Sequence, residues 1–142
     1  FLTKSGIKYE FIENLNHLEL SQGQVICLSN DFSIIIELGD PIETLNAQEK
    51  LDVSRIEQIV FKLLYNINDT STDSRISFLR GDNPVNHVLE QLKNKEISLS
   101  FLFAPNTMQE IKDVADAGLI MPPKSTFIEP KLLTGMLIED YR

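Results

Sequence analysis

The sequence predicts an α+β fold, with a mixed, largely antiparallel sheet and about three helices packed mainly on one face. Two observations predict this class: residues 1–41 are strand-rich, whereas residues 51–142 alternate between helix-like and strand-like segments. Strands that are segregated from a later region of alternation are typical of α+β proteins. A length of 142 residues suits one domain around one core, so we expect residues 1–142 to form a single domain.

Three strands are expected before residue 42. Residues 7–11 alternate apolar and charged side chains, which is the pattern of a half-buried strand. Residues 24–29 and 32–38 are apolar runs separated by Asn30 and Asp31, two residues that tolerate a positive φ and therefore favour a tight hairpin.

We make one further prediction for each of two residues inside these runs, Ile35 and Cys27. Ile35 interrupts the alternation of the third strand, so both faces of that strand should be at least partly covered. Cys27 is the one cysteine of the chain and lies in an apolar run, so we interpret it as a small buried hydrophobe.

The first helix is predicted to begin at a capping box formed by Ser54 and Glu57 and to end near Asn66. Its buried face should consist of the apolar residues that recur at helical spacing. These are Ile56, Ile59, Val60, Leu63 and Leu64. The polar residues 68–74 are expected to form a loop.

Alternation follows this loop. We expect a strand over residues 75–80 and then a helix that starts at Asn83 and Pro84. That helix should bury Val85, Val88, Leu89 and Leu92. The next strand, residues 97–103, should carry Leu99, Phe101 and Phe103 on one face.

The third helix is predicted to begin at a second capping box, formed by Thr107 and Glu110, and to end with a left-handed Gly118. Its apolar stripe comprises Met108, Ile111, Val114 and Ala115. A last strand is expected over residues 132–139.

The net charge of −8 argues against nucleic-acid binding, which normally requires a basic face. No apolar run is long enough to span a bilayer, so no membrane partner is expected, and a cytoplasmic setting is the default. No pair of histidines or cysteines has metal-ligand spacing, and there is no glycine-rich phosphate loop. We therefore predict no metal and no cofactor.

The candidate site is the proline-framed turn that contains Lys124, Ser125 and Thr126, together with Lys131. Two ammonium groups, two hydroxyl groups and the backbone amides between them could form a concave anion site on a backbone stiffened by prolines. The alternative is a surface turn in which the prolines, the serine and the threonine stabilise the chain while the lysines are solvated.

Three further residues are secondary candidates. Arg80 and Asp82 follow a predicted strand and precede a helix, a position favoured by ligands, although an ordinary turn is the simpler interpretation. Asp116 lies on the outer face of the third helix, close enough in sequence to oppose Lys124 or Lys131.

The segment from Met121 to Met136 contains Pro-Pro-Lys-Ser-Thr followed by Glu-Pro-Lys and a glycine. It resembles the C-terminal signature of a bacterial and archaeal family, the domain of unknown function numbered one thousand and fifteen, whose members often carry the label SpoOJ/ParA/ParB/RepB-like. Leu51-Asp52-Val53-Ser54 and residues 101–107 resemble two further phrases of that family. The sequence departs from it at Ile128 and Met136.

Members of this family are much longer, so the resemblance implies a C-terminal domain whose N-terminal partner is absent. Our function hypothesis is a domain that binds a small anion, namely a phosphate, a nucleotide or a carboxylate metabolite. The alternative is a non-catalytic interaction module that docks an N-terminal domain or a second subunit, the latter forming a homo-oligomer. The residues leave open whether any reaction is catalysed, because no nucleophile–base arrangement can be identified.

Overall fold

A computed structural model of the chain describes residues 6–15, 19–79 and 84–126. Over these residues one four-stranded antiparallel sheet is accompanied by three helices, which confirms the α+β class. The strands are β1 Lys8–Phe11, β2 Gln24–Leu28, β3 Ser33–Glu37 and β4 Ser100–Phe103. The helices are α1 Asp52–Ile56, which continues directly into a π-helix over Glu57–Lys62, then α2 Pro84–Lys93 and α3 Met108–Asp116.

The strand order is β1-β3-β2-β4, and each pair of neighbours is antiparallel. Cys27 of β2 pairs with Ile34 of β3 on one side and with Phe101 of β4 on the other. The sheet is therefore antiparallel throughout the described strands, without the parallel component that a mixed sheet would have. Within this part of the chain, β1 and β4 are the edges.

The hairpin between β2 and β3 is confirmed, but Asn30 and Asp31 do not close it in the expected way. Within the described ranges, neither residue is among those with a positive φ. Instead the Ser29 hydroxyl accepts hydrogen bonds from the amides of Asp31 and Phe32, both at 3.1 Å. The Ser29 amide donates to the Phe32 carbonyl at 2.9 Å. A serine side chain thus supplies the turn closure that a left-handed asparagine would otherwise provide.

Helices contact both faces of the sheet, not mainly one as predicted. On the first face, Ile56 and Val60 pack against buried β2 and β3 residues, namely Val25, Cys27, Ile34 and Ile36. On the second face, Val88 and Leu92 of α2 pack against Ile26 and Leu28. Ile35 packs with this second group, which confirms that both faces of β3 are covered. The sequence pattern of α1 and α2 does not specify which face each helix covers.

The predicted capping box at Ser54 and Glu57 is wrong. The helix starts earlier, with Leu51 at the N-cap position and no capping side-chain hydrogen bond. Ser54 lies inside α1, and the Glu57 carboxylate accepts a hydrogen bond from the buried Thr70 hydroxyl at 2.6 Å. The Glu57 carboxylate therefore bonds to Thr70, 13 residues later in the chain, and does not cap the helix start as predicted.

The sheet holds the N-terminal end of this helix through two charged side chains. The Asp52 carboxylate accepts a hydrogen bond from the Gly23 amide at 2.7 Å, just before β2. The Arg55 guanidinium donates to the carbonyl of Gly39 at 2.8 Å and to that of Leu38, just after β3. These contacts fix the helix start near the ends of the two central strands.

The predicted apolar stripe fails at Leu63 and Leu64, which are 72% and 47% exposed. The reason is the π-helix, in which the Tyr65 amide donates to the Val60 carbonyl five residues earlier. Each residue of a π-helix advances by a smaller angle than in an α-helix. The π-helix also ends at Lys62, so Leu63 and Leu64 follow it in a turn and do not continue its buried face.

The strand predicted over residues 75–80 is not formed in its described part, residues 75–79. Asp73 bends the chain here: its carboxylate accepts hydrogen bonds from the Arg75 amide and guanidinium, and its carbonyl accepts from the Ile76 amide. Aspartate bonding to the backbone two residues ahead favours a turn over an extended ladder. Arg80 lies outside the described residues.

The second helix begins at Pro84 as predicted, and Val88 and Leu92 are buried. Leu89 was also predicted to be buried, but it is 39% exposed. Leu99, just before β4, and Phe101 and Phe103 of β4 all pack on the first face, which confirms that prediction.

The third helix carries the predicted reciprocal capping box between Thr107 and Glu110. Val114 is buried, and Gly118 has a φ of +66°, the left-handed conformation expected after a helix end. Met108 is 80% exposed, contrary to prediction, because it is the first helical residue and lies at the end of the stripe.

The strand predicted over residues 132–139 lies outside the described residues. Among the helices that the structure describes, none has the length and apolar character required to cross a bilayer.

Candidate functional site

The proline-framed turn is closed by its own serine. The Ser125 amide donates to the Pro122 carbonyl at 3.2 Å, and the Ser125 hydroxyl donates to the same oxygen at 2.7 Å. Pro122 is buried, whereas Pro123 and Lys124 are exposed. Both serine donors are therefore used inside the turn, and the two prolines have no amide hydrogen to offer.

Lys124 has a φ of +61°. Lys124 is the third of the four turn residues, after Pro123 and before Ser125. In a type II turn this third position has a positive φ and is normally occupied by glycine. Lys124 is one of three non-glycine residues in the described ranges with a positive φ. The turn therefore holds its lysine in a backbone conformation that local energetics disfavour.

The turn is also fixed to the end of β4. The Asn106 side-chain amide donates to the Ser125 carbonyl at 2.6 Å, and Asn106 lies three residues after Phe103. This contact joins the segment before α3 to the segment after it. The sequence motif alone could not reveal this partner, because the two residues are separated by the whole of α3.

A cleft with a volume of about 950 Å³ runs along β4. We call it the β4 cleft. Residues 96–106 form one wall, residues 74–79 contribute to another, and Pro123, Lys124 and Ser125 also line it. The structure thus brings the predicted turn to a concave surface. Because residues 75–80 were predicted to form a strand, the sequence did not indicate that residues 74–79 line this cleft.

The other predicted site residues do not join this turn within the described structure. Asp116 forms an ion pair with Lys112 at 2.5 Å on the exposed side of α3. Thr126 is exposed. Lys131, Arg80 and Asp82 lie outside the described residues.

A second concave surface was not predicted at all. We call it the aromatic cleft; its volume is about 280 Å³ and it lies on the first face of the sheet, beside the π-helix. It shares Tyr65, Leu99 and Phe101 with the β4 cleft. The signal available in the sequence was the pair Tyr9 and Phe11, which a strand places on one face, and their rings lie edge to face at 5.8 Å.

Three acidic groups near these surfaces have perturbed pKa values. Burial raises the pKa of the Cys27 thiol to about 12, so the thiol stays protonated and unreactive at neutral pH. Burial also raises the pKa of Asp52, although the hydrogen bond from Gly23 and the charge of Arg55 oppose this rise. Hydrogen bonding to Arg75 lowers the pKa of Asp73 to about 2.

Over the part of the chain that is described, no three histidine, cysteine, aspartate or glutamate side chains come together as metal ligands would. No protein-family model, curated protein or solved structure matches the chain. The resemblance of residues 121–136 to the family of unknown function therefore stays a prediction.

Proposed function

We propose that this domain is an interaction module in which the Pro122–Ser125 turn presents Lys124 to a carboxylate on a partner surface. The observation that carries the proposal is the left-handed Lys124 in a turn whose own donors are already used. A cradle for a free anion needs several converging donors, and the closed turn offers chiefly one ammonium group. One exposed ammonium group on a stiff turn suits a single partner carboxylate.

The backbone conformation supports a role for the lysine side chain itself. A left-handed conformation costs a non-glycine residue roughly 1–2 kcal/mol. Residues that break a local rule without a structural gain are the places where function is expected. The Lys124 side chain is exposed and forms no ion pair within the described structure, so the fold gains nothing visible from its charge.

The partner we consider is a second copy of the chain. The chain has 21 aspartate and glutamate residues against 13 lysine and arginine residues, so an exposed lysine of one copy readily meets a carboxylate of another. A partly exposed ion pair contributes up to about 1 kcal/mol, which corresponds to roughly a fivefold change in a dissociation constant.

The test is sedimentation velocity over a concentration series, comparing the wild type with Lys124→Glu and Lys124→Gly. Lys95→Glu and Lys95→Gly are matched controls, because Lys95 is also exposed and has a φ of +60°. We expect both Lys124 variants to weaken self-association by about fivefold or more, while the Lys95 variants leave it unchanged.

The glycine variant separates interaction from folding. Relief of backbone strain should stabilise Lys124→Gly, and the greater entropy of unfolded glycine should offset part of the gain, so its unfolding free energy should rise by about 0–1 kcal/mol. A wild type that stays monomeric at every concentration would contradict the second-subunit proposal. Equal effects of Lys124 and Lys95 variants would also contradict it, because they would indicate a general charge effect.

A second candidate is the binding of a small anion by Lys124 within the β4 cleft. The observation in its favour is that Lys124 and Ser125 line a cleft of about 950 Å³, which is within the range of ligand pockets. In this case inorganic phosphate or ATP should raise the melting temperature of the wild type but not that of Lys124→Ala. The absence of stabilisation by either compound would exclude this candidate without affecting the first.

A further inference from the structure

The aromatic cleft lies on the face of the sheet opposite to the closed core formed by Ile26, Leu28, Val88 and Leu92, and it differs from that core in being open. Its floor is formed by buried residues of the sheet, including Cys27, and its rim by exposed apolar side chains. Phe11 is 68% exposed and Tyr65 is 45% exposed. Exposed apolar surface is unfavourable in water by about 25 cal/mol per Å², so an apolar occupant would be stabilised here.

The chemistry of the lining favours an uncharged ligand. All eleven lining residues are uncharged at neutral pH, because the one thiol, that of Cys27, is protonated. Five of the eleven carry an aromatic ring: Tyr9, Phe11, Phe32, Tyr65 and Phe101. Aromatic rings pack favourably edge to face or offset against other rings, which adds about 0.5–1.5 kcal/mol per pair beyond area burial.

The volume limits the size of the ligand. Apolar cavities of about 150 Å³ bind benzene. The aromatic cleft, at about 280 Å³, has nearly twice this volume. It therefore has room for two fused rings and lies near the lower end of the range found for ligand pockets.

The π-helix supplies a second observation that points to a ligand site. It is one wall of the cleft through Val60, and it leads into Leu64 and Tyr65 on the rim. Stretches of π-helix are rare and are frequently found at functional sites. Here the π-helix ends at Lys62, and Leu64 and Tyr65, which follow it, lie half exposed on the rim of the cleft.

We propose that the aromatic cleft binds an uncharged aromatic molecule of about two fused rings, such as indole. This site is separate from the lysine turn and does not depend on the proposed function. Cleft and turn can therefore be tested independently.

The experiment is a titration of the whole chain with indole, followed through the methyl resonances of isoleucine, leucine and valine side chains. We expect saturable shifts for the methyl groups of Ile34, Val60 and Leu64, which line the cleft, and none for Val88 and Leu92 on the second face. Equal shifts on both faces, or no saturable shift up to the solubility of indole, would overturn the proposal.

Two variants and two further compounds sharpen the test. Phe11→Ser removes an exposed rim ring and should weaken binding at least fivefold, whereas Leu89→Ser, on the exposed side of α2, should leave it unchanged. Cyclohexanol and indole-3-acetate should bind at least fivefold more weakly than indole, because one lacks the aromatic ring and the other carries a charge. Equal affinity for all three compounds, or full binding by Phe11→Ser, would contradict an aromatic site.

The experiment also distinguishes a small ligand in the aromatic cleft from a second protein chain that covers it. If the cleft is instead covered by a second copy of the chain, Phe11→Ser should convert a dimer to a monomer in sedimentation velocity, and indole should shift no cleft methyl group in the wild type. That combination would overturn the ligand proposal in favour of an interface on this face.

Discussion

The two faces of the sheet each carry a helix, but only one face is closed. On the second face, Val88 and Leu92 of α2 are 1% and 2% exposed. On the first face, Val60 and Leu64 have the same spacing of four residues, yet they are 4% and 47% exposed. The difference lies in where each helix ends: Val88 and Leu92 both lie inside α2, whereas the π-helix ends at Lys62 and Leu64 follows it in a turn.

This contrast shows how the end of a helix leaves part of a sheet face uncovered. The α2 side chains fill the space above Ile26 and Leu28. Above Cys27 and Ile34, the π-helix leaves the aromatic cleft partly unfilled. The closed face should therefore govern stability, and the open face should tolerate change and bind ligands.

The largest expected effect tests this division directly. Leu92→Ala should lower the unfolding free energy by about 2–5 kcal/mol, because it leaves a cavity in a closed core. Leu64→Ala removes the same atoms from the open face and should change the unfolding free energy by less than about 0.5 kcal/mol. Urea unfolding followed by far-ultraviolet circular dichroism measures both. Similar losses in the two variants would mean that the faces do not differ in this way.

A smaller effect is expected where the π-helix is attached to the following loop. Thr70→Val removes the hydroxyl that donates to the half-buried Glu57 carboxylate at 2.6 Å. The unfolding free energy should fall by about 1–2 kcal/mol, because the carboxylate is left without this donor. Hydrogen exchange of the amides of residues 57–62 should accelerate. Thr44→Val, at an exposed position, is the control and should change neither quantity.

The smallest expected effect is a pH dependence at the start of α1. Burial raises the pKa of Asp52, so the folded state binds the proton of this carboxyl group more tightly than the unfolded state does. The corresponding stability is present at low pH and is lost as the pH rises through the raised folded-state pKa. The unfolding free energy of the wild type minus that of Asp52→Asn should therefore decrease from about pH 3 to about pH 6.

Asp73→Asn provides a control with the opposite sign. The pKa of Asp73 is lowered to about 2 by Arg75, so its contribution is present above the ordinary carboxyl pKa and is lost as the pH falls towards 2. The unfolding free energy of the wild type minus that of Asp73→Asn should therefore increase from about pH 2 to about pH 4. Slopes of equal sign for the two variants would contradict the assignment of Asp52 as a carboxyl group with a raised pKa.

The elements predicted correctly are those whose signal is local or strongly periodic. The hairpin of β2 and β3 follows from two apolar runs around a polar turn, and the burial of Cys27 follows from its apolar neighbours. The capping box of Thr107 and Glu110 is also correct, because both partners lie within one helical turn and nothing else engages them.

The candidate turn was chosen from the sequence, and its role as a site stays a prediction. The sequence drew attention to the turn, and the structure adds that Ser125 closes it, that Asn106 holds it and that Lys124 is left-handed. Its relation to the β4 cleft depends on residues 74–79, which are far from it in sequence. No pattern in the chain indicated that proximity.

The contrast between the two capping boxes identifies what the sequence could not decide. Ser54 and Glu57 have the same spacing as Thr107 and Glu110, but Thr70 engages Glu57, and Asp52 and Arg55 fix the helix start to the sheet. The sequence by itself determined the strands β1 to β4, the hairpin, the third helix and the α+β class, because these depend on residues close together in the chain. Only the tertiary structure decided the π-helix, the open face and the clefts, because these depend on hydrogen bonds and packing between residues distant in sequence.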